Sequence, residues 1–334
     1  MFYNAAMALD RDLGVAVLAA QARRRGRPLR GWEMLSATGV RGLRVLNESP
    51  ALAELWLTEA NPEAFRVLEE NAGRFADRGA RVREWDAVRP VPEPPFDYVD
   101  LDPFGSPLPF LPAAFAALAP EGLLAVTATD MPVLAGVQAA ACERRYGARP
   151  VRGRLGPEGG LRILMRYLAQ VARDGGRGFD PLVAYVLDHH IRVYALISSR
   201  PRELPVDVMG GAGYLGPPLA GDGPFGPMWV GPLFDRSFLR DLRAPPSASR
   251  PKELGTLLER FLEESEVDAP FYFEPNLVAR DAGVSRPPSI RLFLEALRKE
   301  GYRAGRTHVR ASAFRTDAPR AAVLEVARRL SDLA

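Results

Sequence analysis

Short apolar runs alternate with stretches of helical periodicity along the first part of the chain. The pattern predicts strands at residues 32–37, 55–59, 81–85, 96–100 and 122–129, most of which are apolar runs. Apolar residues at helical spacing predict helices over residues 8–25, 62–74 and 161–173. Two more apolar runs, 182–187 and 191–197, flank Asp188-His189-His190 and predict a hairpin. This alternation is typical of an α/β fold with a mostly parallel sheet, flanked by helices and ended by an antiparallel hairpin.

The alternation stops near residue 236, and a second pattern follows it. Residues 205–232 are rich in Gly and Pro and predict an irregular excursion. Beyond them, the periodicity predicts helices at 251–264, 274–282, 289–299 and 318–333, with a basic β-like stretch at 302–314. Helix–turn–helix followed by a hairpin resembles a winged helix, and a generic small α+β domain fits equally well. We therefore expect two domains, residues 1–235 and 236–334.

Composition narrows the class of protein. The chain has 334 residues, a length that favours two domains, and its single cysteine, Cys142, excludes a disulfide framework within one chain. No run approaches the roughly 20 apolar residues of a membrane span. Acidic and basic residues interrupt the apolar N-terminal stretch, so it lacks the layout of a signal peptide. We expect a soluble, cytoplasmic protein without a membrane partner.

Arginine supplies nearly all of the positive charge and is clustered. The net charge is only +3, and Lys252 and Lys299 are the only lysines. The clusters are Arg23, Arg24, Arg25, Arg27 and Arg30; Arg144, Arg145, Arg149, Arg152 and Arg154; and Arg298, Lys299, Arg303, Arg306, Arg310, Arg315 and Arg320. A single block of this kind is more often an ordinary solvated surface. The high arginine content is explained equally well by codon bias in a GC-rich genome and by a functional need for arginine. Three blocks on a nearly neutral chain favour a long polyanion as partner.

The segment Tyr98-Val99-Asp100-Leu101-Asp102-Pro103-Phe104-Gly105 is the richest in candidate chemistry. It reads as a buried strand that opens into a rigid, sharply turned loop, the place where open α/β sheets bind ligands. Asp102 beside Phe104 suits a flat substrate that carries an amino group, because the ring stacks on the base and the carboxylate accepts from the amine. Taken alone, an Asp-Pro pair such as Asp102-Pro103 is more often an ordinary turn at the end of a strand than part of a binding site.

Three other predicted strands also end in features that fit one ligand. The loop after the first contains Ser36, Gly39 and Gly42, the second ends in Glu59, and the third is followed by Asp86-Ala87. Glycines permit close backbone approach at a helix N-terminus, and the acids suit ribose hydroxyls and an adenine amine. Glu59 or Asp86 alone is equally well read as a cap or an exposed acid. The order resembles Rossmann-like methyltransferases that use S-adenosylmethionine (AdoMet). A nicotinamide enzyme would not explain the Asp102 loop.

Longer motifs resemble a single family, the tRNA guanine-26 N2-dimethyltransferases of archaea and eukaryotes. The most specific are Phe2-Tyr3-Asn4 through Arg11-Asp12 and Asp102-Pro103-Phe104-Gly105-Ser106-Pro107. Further matches lie at residues 36–42, 59–62, 188–194, 226–233, 306–308 and 315–319. The resemblance covers most of the chain, and it implies methylation of the exocyclic N2 of guanine 26 in tRNA, with AdoMet as cofactor.

The resemblance also implies roles for individual residues. Arg11, Arg41, Glu59, Asp86 and Ala87 would contact AdoMet, in addition to the Ser36–Gly39 loop. The residues alone would instead place Arg11 on the surface. Asp102 would accept a hydrogen bond from the guanine amine, and Phe2 and Phe104 would sandwich the base. Many members carry a cysteine zinc cluster where this chain has the cysteine-free Tyr214–Met228, so no metal is expected. His189 and His190 are expected to be structural or to face RNA.

Two other functions stay open at this point. The Asp102 loop alone also fits methylation of an exocyclic amine in another RNA or in DNA. A non-catalytic nucleic-acid-binding protein with a degenerate methyltransferase domain is the alternative from a different class.

Overall fold

A central seven-stranded sheet organises the larger part of the protein. In this computed structural model, residues 5–90, 93–209 and 224–332 are described. The strands are β1 (Leu29–Glu33), β2 (Leu52–Glu59), β3 (Ala80–Glu84), β4 (Phe96–Leu101), β5 (Leu118–Ala128), β6 (Gly178–Leu187) and β7 (His190–Ser198). Their order is β3-β2-β1-β4-β5-β7-β6, with β1 to β5 parallel and β7 antiparallel to both of its neighbours. The predicted Rossmann-like sheet with a terminal hairpin is confirmed.

Helices cover this sheet. They are α1 (Ala8–Arg25), α2 (Val40–Glu48), α3 (Pro62–Gly73), α4 (Leu111–Ala117), α5 (Met131–Leu134), α6 (Ala139–Tyr146) and α7 (Gly156–Asp174). Local signals explain their starts: before α3, the Asn61 side chain accepts hydrogen bonds from the amides of Glu63 and Ala64, with Pro62 in the first turn. Every residue of β4 is buried, as expected for a central parallel strand.

The predicted irregular excursion is partly wrong. Its ends pair as a two-stranded antiparallel sheet of β8 (Val206–Met209) and β9 (Phe225–Trp229). The apolar side chains of Phe225, Met228 and Trp229 are buried, and this burial outweighs the local Gly and Pro content. Residues 210–223 lie outside the described ranges.

The C-terminal part contains the predicted helices and a small sheet. Its elements are α8 (Arg236–Asp241), α9 (Pro251–Glu264), α10 (Pro275–Ala282), α11 (Ile290–Lys299), β10 (Ala304–Arg306), β11 (Phe314–Thr316) and α12 (Arg320–Asp332). Phe238 of α8 and Phe261 of α9 belong to the hydrophobic core of the larger part. A second core, which includes Phe293 and Phe314, is built from α10 onward. Helix, turn, helix and a two-stranded sheet follow one another as predicted.

A buried cluster of charges joins the two parts. Arg315 of β11 donates to both carboxylate oxygens of Glu158 on α7, each at 2.9 Å, and to Glu264 Oε1 of α9 at 2.7 Å. Burial alone would raise the pKa of Glu264, but His308 and Arg315 outweigh it and hold that pKa well below its ordinary value. The C-terminal part is therefore fixed to the sheet domain through ionised groups.

Within the described ranges, no helix combines the length and the apolar character needed to cross a bilayer.

Candidate active site

The carboxyl ends of β1 to β4 meet at one edge of the sheet, and the predicted site residues follow these ends. Ser36 and Gly39 come after β1, Glu59 ends β2, Asp86 follows β3 and Asp102 follows β4. Parallel pairing in the order β3-β2-β1-β4 brings these loops side by side.

The loop after β1 depends on glycine. Gly39 has φ +75°, a left-handed conformation, and its amide donates to the carbonyl of Ser36 at 2.7 Å. The Ser36 hydroxyl donates to the Glu33 carbonyl at 2.9 Å. A Cβ on Gly39 would lie 2.7 Å from Leu68 Cδ1, so a side chain fits neither the conformation nor the space.

Two acids lie at the ends of the next two strands. The carboxylate of Glu59 accepts from the amides of Ala37 and Asn61, both at 2.9 Å, and is thereby fixed against the loop. Asp86 is exposed and accepts from the Val88 amide at 3.2 Å, while Ala87 is buried. Both carboxylates are hydrogen-bond acceptors at the mouth of the site.

Arg41 connects the Asp102 loop to α1. Its Nη2 lies 2.8 Å from Asp102 Oδ2, and its Nη1 lies 2.7 Å from Asp10 Oδ2. Burial acts to lower the pKa of Arg41, but Asp10 and Asp102 outweigh it and raise that pKa well above its ordinary value. Arg41 is therefore a permanent cation that orients the carboxylate of Asp102.

Asp10 and Arg11 are both buried. The carboxylate of Asp10 also accepts from the Tyr185 hydroxyl and lies 3.2 Å from His190 Nε2. Arg11 is 6% exposed, so the surface position that the residues alone suggested is wrong. It lies in α1, whose packing against α2 was not visible in the local sequence.

The loop that carries Asp102 is fastened to the end of β5. The Gly105 amide donates to Thr129 Oγ1 at 2.6 Å, and the Thr129 amide donates back to the Gly105 carbonyl at 2.9 Å. Ser106 Oγ and the Tyr146 hydroxyl are 2.9 Å apart, and that hydroxyl donates to Asp130 Oδ2 at 2.9 Å. Phe104 projects from this fixed loop with 83% of its surface exposed.

Buried charged groups lie in the strands next to the site. Arg192 donates to both oxygens of Asp100, at 2.9 and 2.6 Å. Next to them, Glu33 accepts from the Gly42 amide at 3.0 Å. Burial, together with the negative charges of Asp100 and Asp102, raises the pKa of Glu33 to about 8. Glu33 is therefore a mostly neutral carboxyl group at pH 7.

Sequence reasoning missed Asp10, Asp130 and Tyr146. Asp130 follows β5 as Asp102 follows β4, and this shared position was a usable signal. Nothing local marks Asp10 or Tyr146, because their partners are distant in the chain: Arg41 for Asp10, and Ser106 for Tyr146.

The remaining predictions concern Phe2, the segment Tyr214–Met228 and the two histidines. Phe2 and most of Tyr214–Met228 lie outside the described residues. Elsewhere, no three His, Cys, Asp or Glu side chains gather as a metal-binding group. His190 is buried against Asp10, and His189 is exposed in the turn of the β6–β7 hairpin.

The arginine blocks differ in how far the protein itself uses them. Every arginine of the first block donates a hydrogen bond within the protein. Arg23 and Arg25 donate to the carbonyls of Asp241 and Glu121. Carboxylates accept from the other three: Asp241 from Arg24, Asp97 from Arg27 and Glu54 from Arg30. In the third, Arg298, Arg303, Arg310, Arg315 and Arg320 pair with acids. The first block and most of the third therefore have partners within the protein, a difference between the blocks that the sequence did not indicate.

Comparisons with known proteins identify the family. The sequence model of the family "N2,N2-dimethylguanosine tRNA methyltransferase" matches residues 1–209 and 222–328. A relative from Thermococcus kodakarensis, named tRNA (guanine(26)-N(2))-dimethyltransferase, is 34% identical over 98% of this chain and 92% of its own length. A protein of the same name from Pyrobaculum arsenaticum is 35% identical, over 95% of this chain and 88% of its own.

A solved structure is similar over the whole fold. It is Trm1 from Pyrococcus horikoshii in complex with S-adenosyl-L-methionine, with a TM-score of 0.85 and 29% identity over 97% of this chain and 94% of that chain. The sheet order, the strand-end site and these matches lead to one conclusion: the chain belongs to the N2,N2-dimethylguanosine tRNA methyltransferase family.

Proposed function

We propose that this protein transfers one or two methyl groups from AdoMet to the exocyclic N2 of guanine 26 in tRNA. The observation that carries the proposal is Asp102, which Arg41 orients at 2.8 Å beside the exposed ring of Phe104. Family membership supplies the substrate class, since the relatives are named for this reaction.

The residues at the strand ends fit AdoMet in the chemistry of their donors and acceptors. Glu59 would accept from the ribose hydroxyls, and Asp86 with Ala87 would hold the adenine. The Ser36–Gly39 loop would approach the cofactor closely through its backbone, because the amides of Ser36, Ala37 and Gly39 are already bonded within the protein and fix the loop. The similar Pyrococcus horikoshii structure is a complex with this cofactor. When bound, AdoMet supplies an electrophilic methyl group on a sulfonium.

Arg11 and Arg41 are assigned to the carboxylate of the methionine part of AdoMet. A guanidinium has five N–H donors, so Arg41 can share itself between that carboxylate, Asp10 and Asp102. Its charge is secured by the two aspartates that flank it.

Asp102 is the proposed catalytic residue. Its Oδ2 is held by Arg41, which leaves Oδ1 to accept from the amino group of guanine. An aniline-like amine is a weak nucleophile, and positive charge develops on it during attack. A fixed carboxylate at hydrogen-bond distance stabilises that charge and positions the nitrogen.

Phe104 and Phe2 are proposed to hold the guanine between two rings. Guanine 26 must leave its stack to enter the site, at a cost of a few kcal/mol. Stacking on an aromatic side chain is worth about 1–3 kcal/mol for each base and offsets part of that cost. We assign catalysis to residues 1–235 and tRNA contacts to residues 236–334 in particular, the division that the sequence predicts.

Labelled AdoMet and unmodified tRNA test this function. We expect N2-methylated guanosine after nucleoside digestion, and none from a tRNA in which guanine 26 is replaced by adenine. Methylation that survives the replacement would move the target to another base. AdoMet binding without methylation of any RNA would favour DNA as substrate or a non-catalytic role.

A further inference from the structure

The second arginine block lies next to the candidate active site and is mostly left without internal partners. Between residues 144 and 154 the chain has five arginines and no acidic residue. Arg154 forms an ion pair with Glu274 at 2.8 Å. The remaining four are exposed, and among the described residues none of them has an acidic side chain at ion-pair distance. We call Arg144, Arg145, Arg149 and Arg152 the basic rim.

The rim is tied structurally to the loop that carries Asp102. Arg144 and Arg145 occupy the last turn of α6, directly before Tyr146. Tyr146 is fully buried, and its hydroxyl lies 2.9 Å from Ser106 Oγ. The end of α6 is therefore anchored on the Asp102 loop.

Arg152 and exposed apolar surface complete the approach to the site. A Cβ on Gly136 would lie 2.9 Å from Arg152 Cγ, so the arginine stem packs along the segment that follows α5. The next residue, Val137, is 78% exposed. Exposed Val137 thus lies next to the stem of Arg152, and exposed Phe104 belongs to the loop on which the end of α6 is anchored.

The rim also leads toward the C-terminal part. The Arg154 carbonyl accepts from the Tyr272 hydroxyl, and Glu274 pairs with Arg154 immediately before α10. A continuous path therefore runs from the Asp102 loop, along residues 144–154, to the beginning of the second hydrophobic core.

We propose that the basic rim docks the phosphate backbone of tRNA next to the target base, in addition to the tRNA contacts assigned to residues 236–334. This inference rests on the proposed function and adds a location to it: the first block and most of the third have internal ion-pair or hydrogen-bond partners, whereas the four rim arginines form no ion pair with a described acid. A guanidinium binds phosphate in a bidentate manner, and an arginine cluster whose described members form no ion pair with an acid offers several such sites. Docking here would hold the backbone while the base turns into the site.

Two double variants with equal charge loss test the proposal. Arg144→Gln with Arg152→Gln removes two rim charges. Arg173→Gln with Arg200→Gln removes two exposed charges at the amino end of β5, on the opposite edge of the sheet. Arg144 and Arg173 both lie in the last turn of a helix, which matches their helix-dipole effects. Anisotropy of labelled tRNA would give Kd at several salt concentrations.

We expect the rim variant to raise the tRNA Kd about tenfold at low salt and to lower the slope of log Kd against log salt by about two. The control should stay within about twofold of the wild type, and both should keep AdoMet affinity and Tm. If AdoMet affinity or Tm changes in the first rim pair, Arg145→Gln with Arg149→Gln replaces it. Equal tRNA binding by rim and control variants would overturn the proposal.

The binding assay is independent of the reaction. A wild type that binds tRNA through the rim but leaves guanine 26 unmethylated would remove the proposed function and keep the docking surface. Methylation of guanine 26 with unchanged binding in the rim variant would do the reverse.

Discussion

Arg41 is the residue on which the geometry of the site depends. It joins Asp10 of α1 to Asp102 after β4, at 2.7 and 2.8 Å, and is itself buried. Because both terminal nitrogens are engaged, the carboxylate of Asp102 has a defined orientation before any substrate arrives. Pre-organised charge of this kind costs no reorganisation during the reaction.

Replacing Asp102 by Asn should separate catalysis from cofactor binding. Loss of the negative charge removes the stabilisation of the developing ammonium, and we expect kcat to fall about 10²-fold or more. The AdoMet Kd should change little, since Asp102 is assigned to the base. Single-turnover rates and calorimetric titration would measure the two quantities.

Asp86→Asn provides the matched control. It should weaken AdoMet binding and reduce kcat much less, because Asp86 is assigned to the adenine. If the Asp102 variant transferred methyl groups at a near-normal rate, the catalytic assignment would be wrong.

Glu33 makes folding stability depend on pH. Its pKa of about 8 in the folded protein exceeds the ordinary value of 4.5. Between those values the unfolded chain has lost the proton that the folded protein still holds. Rising pH therefore favours unfolding, by up to about 1.4 kcal/mol per pH unit, and the stabilising contribution is complete only below pH ~4.5.

Glu33→Gln keeps an acceptor for the Gly42 amide but does not titrate. We expect the unfolding free energy of the wild type to decline, relative to this variant, as pH rises from 5 to 8. Urea denaturation at several pH values measures the difference. A constant difference across that range would show that Glu33 does not hold its proton.

At the scale of elements, burial made most of the sheet predictable. Every residue of β4 and of 122–128 in β5 is buried, and the sequence predicted strands at both places. β1 was displaced: residues 32–37 were predicted, and the strand is Leu29–Glu33. Arg30 lies within β1, where its side chain donates to Glu54 of β2 and its amide donates to Asp97 of β4. Such long-range partners leave no local signal.

The turn between β1 and α2 should not tolerate a side chain at Gly39. Alanine there would adopt φ near +75° and press its Cβ against Leu68. We expect Gly39→Ala to destabilise the protein by about 1–3 kcal/mol and to weaken AdoMet binding. Thermal denaturation and titration with AdoMet would report both effects.

Gly73→Ala is the control for that substitution. Gly73 ends α3, and a Cβ there has nothing within 4 Å, so alanine should be neutral or stabilising by about 0.5–1 kcal/mol. Equal stability of the two variants would mean that the loop does not need its left-handed residue.

For the whole molecule, sequence revealed the charge blocks but not their use. Arg27 and Arg315 look alike in the chain, yet Arg27 pairs with Asp97 near the surface and Arg315 is buried between Glu158 and Glu264. The partners of Arg315 lie 157 and 51 residues away in the chain. Only the folded arrangement shows which arginines are left for a ligand.

Arg315→Met should destabilise the attachment of the C-terminal part. It would leave Glu158 and Glu264 buried without their main shared cation, at a cost of about 3–5 kcal/mol. Arg320→Met is the control, because its pair with Asp281 is only partly buried and is worth about 1 kcal/mol or less. Urea denaturation compares them, and equal losses would contradict a structural role for the buried cluster.

The central claim is that the amino group of guanine 26 accepts the methyl group. A tRNA with inosine at position 26 tests it most directly, since inosine differs from guanosine only in lacking that exocyclic amine. We predict that this tRNA still binds, with at most a modest loss of affinity from the missing amine–Asp102 hydrogen bond, and receives no label from AdoMet, while its guanosine counterpart is methylated. Methylation of the inosine tRNA at the same rate would contradict the account, because the methyl group would then go to another atom.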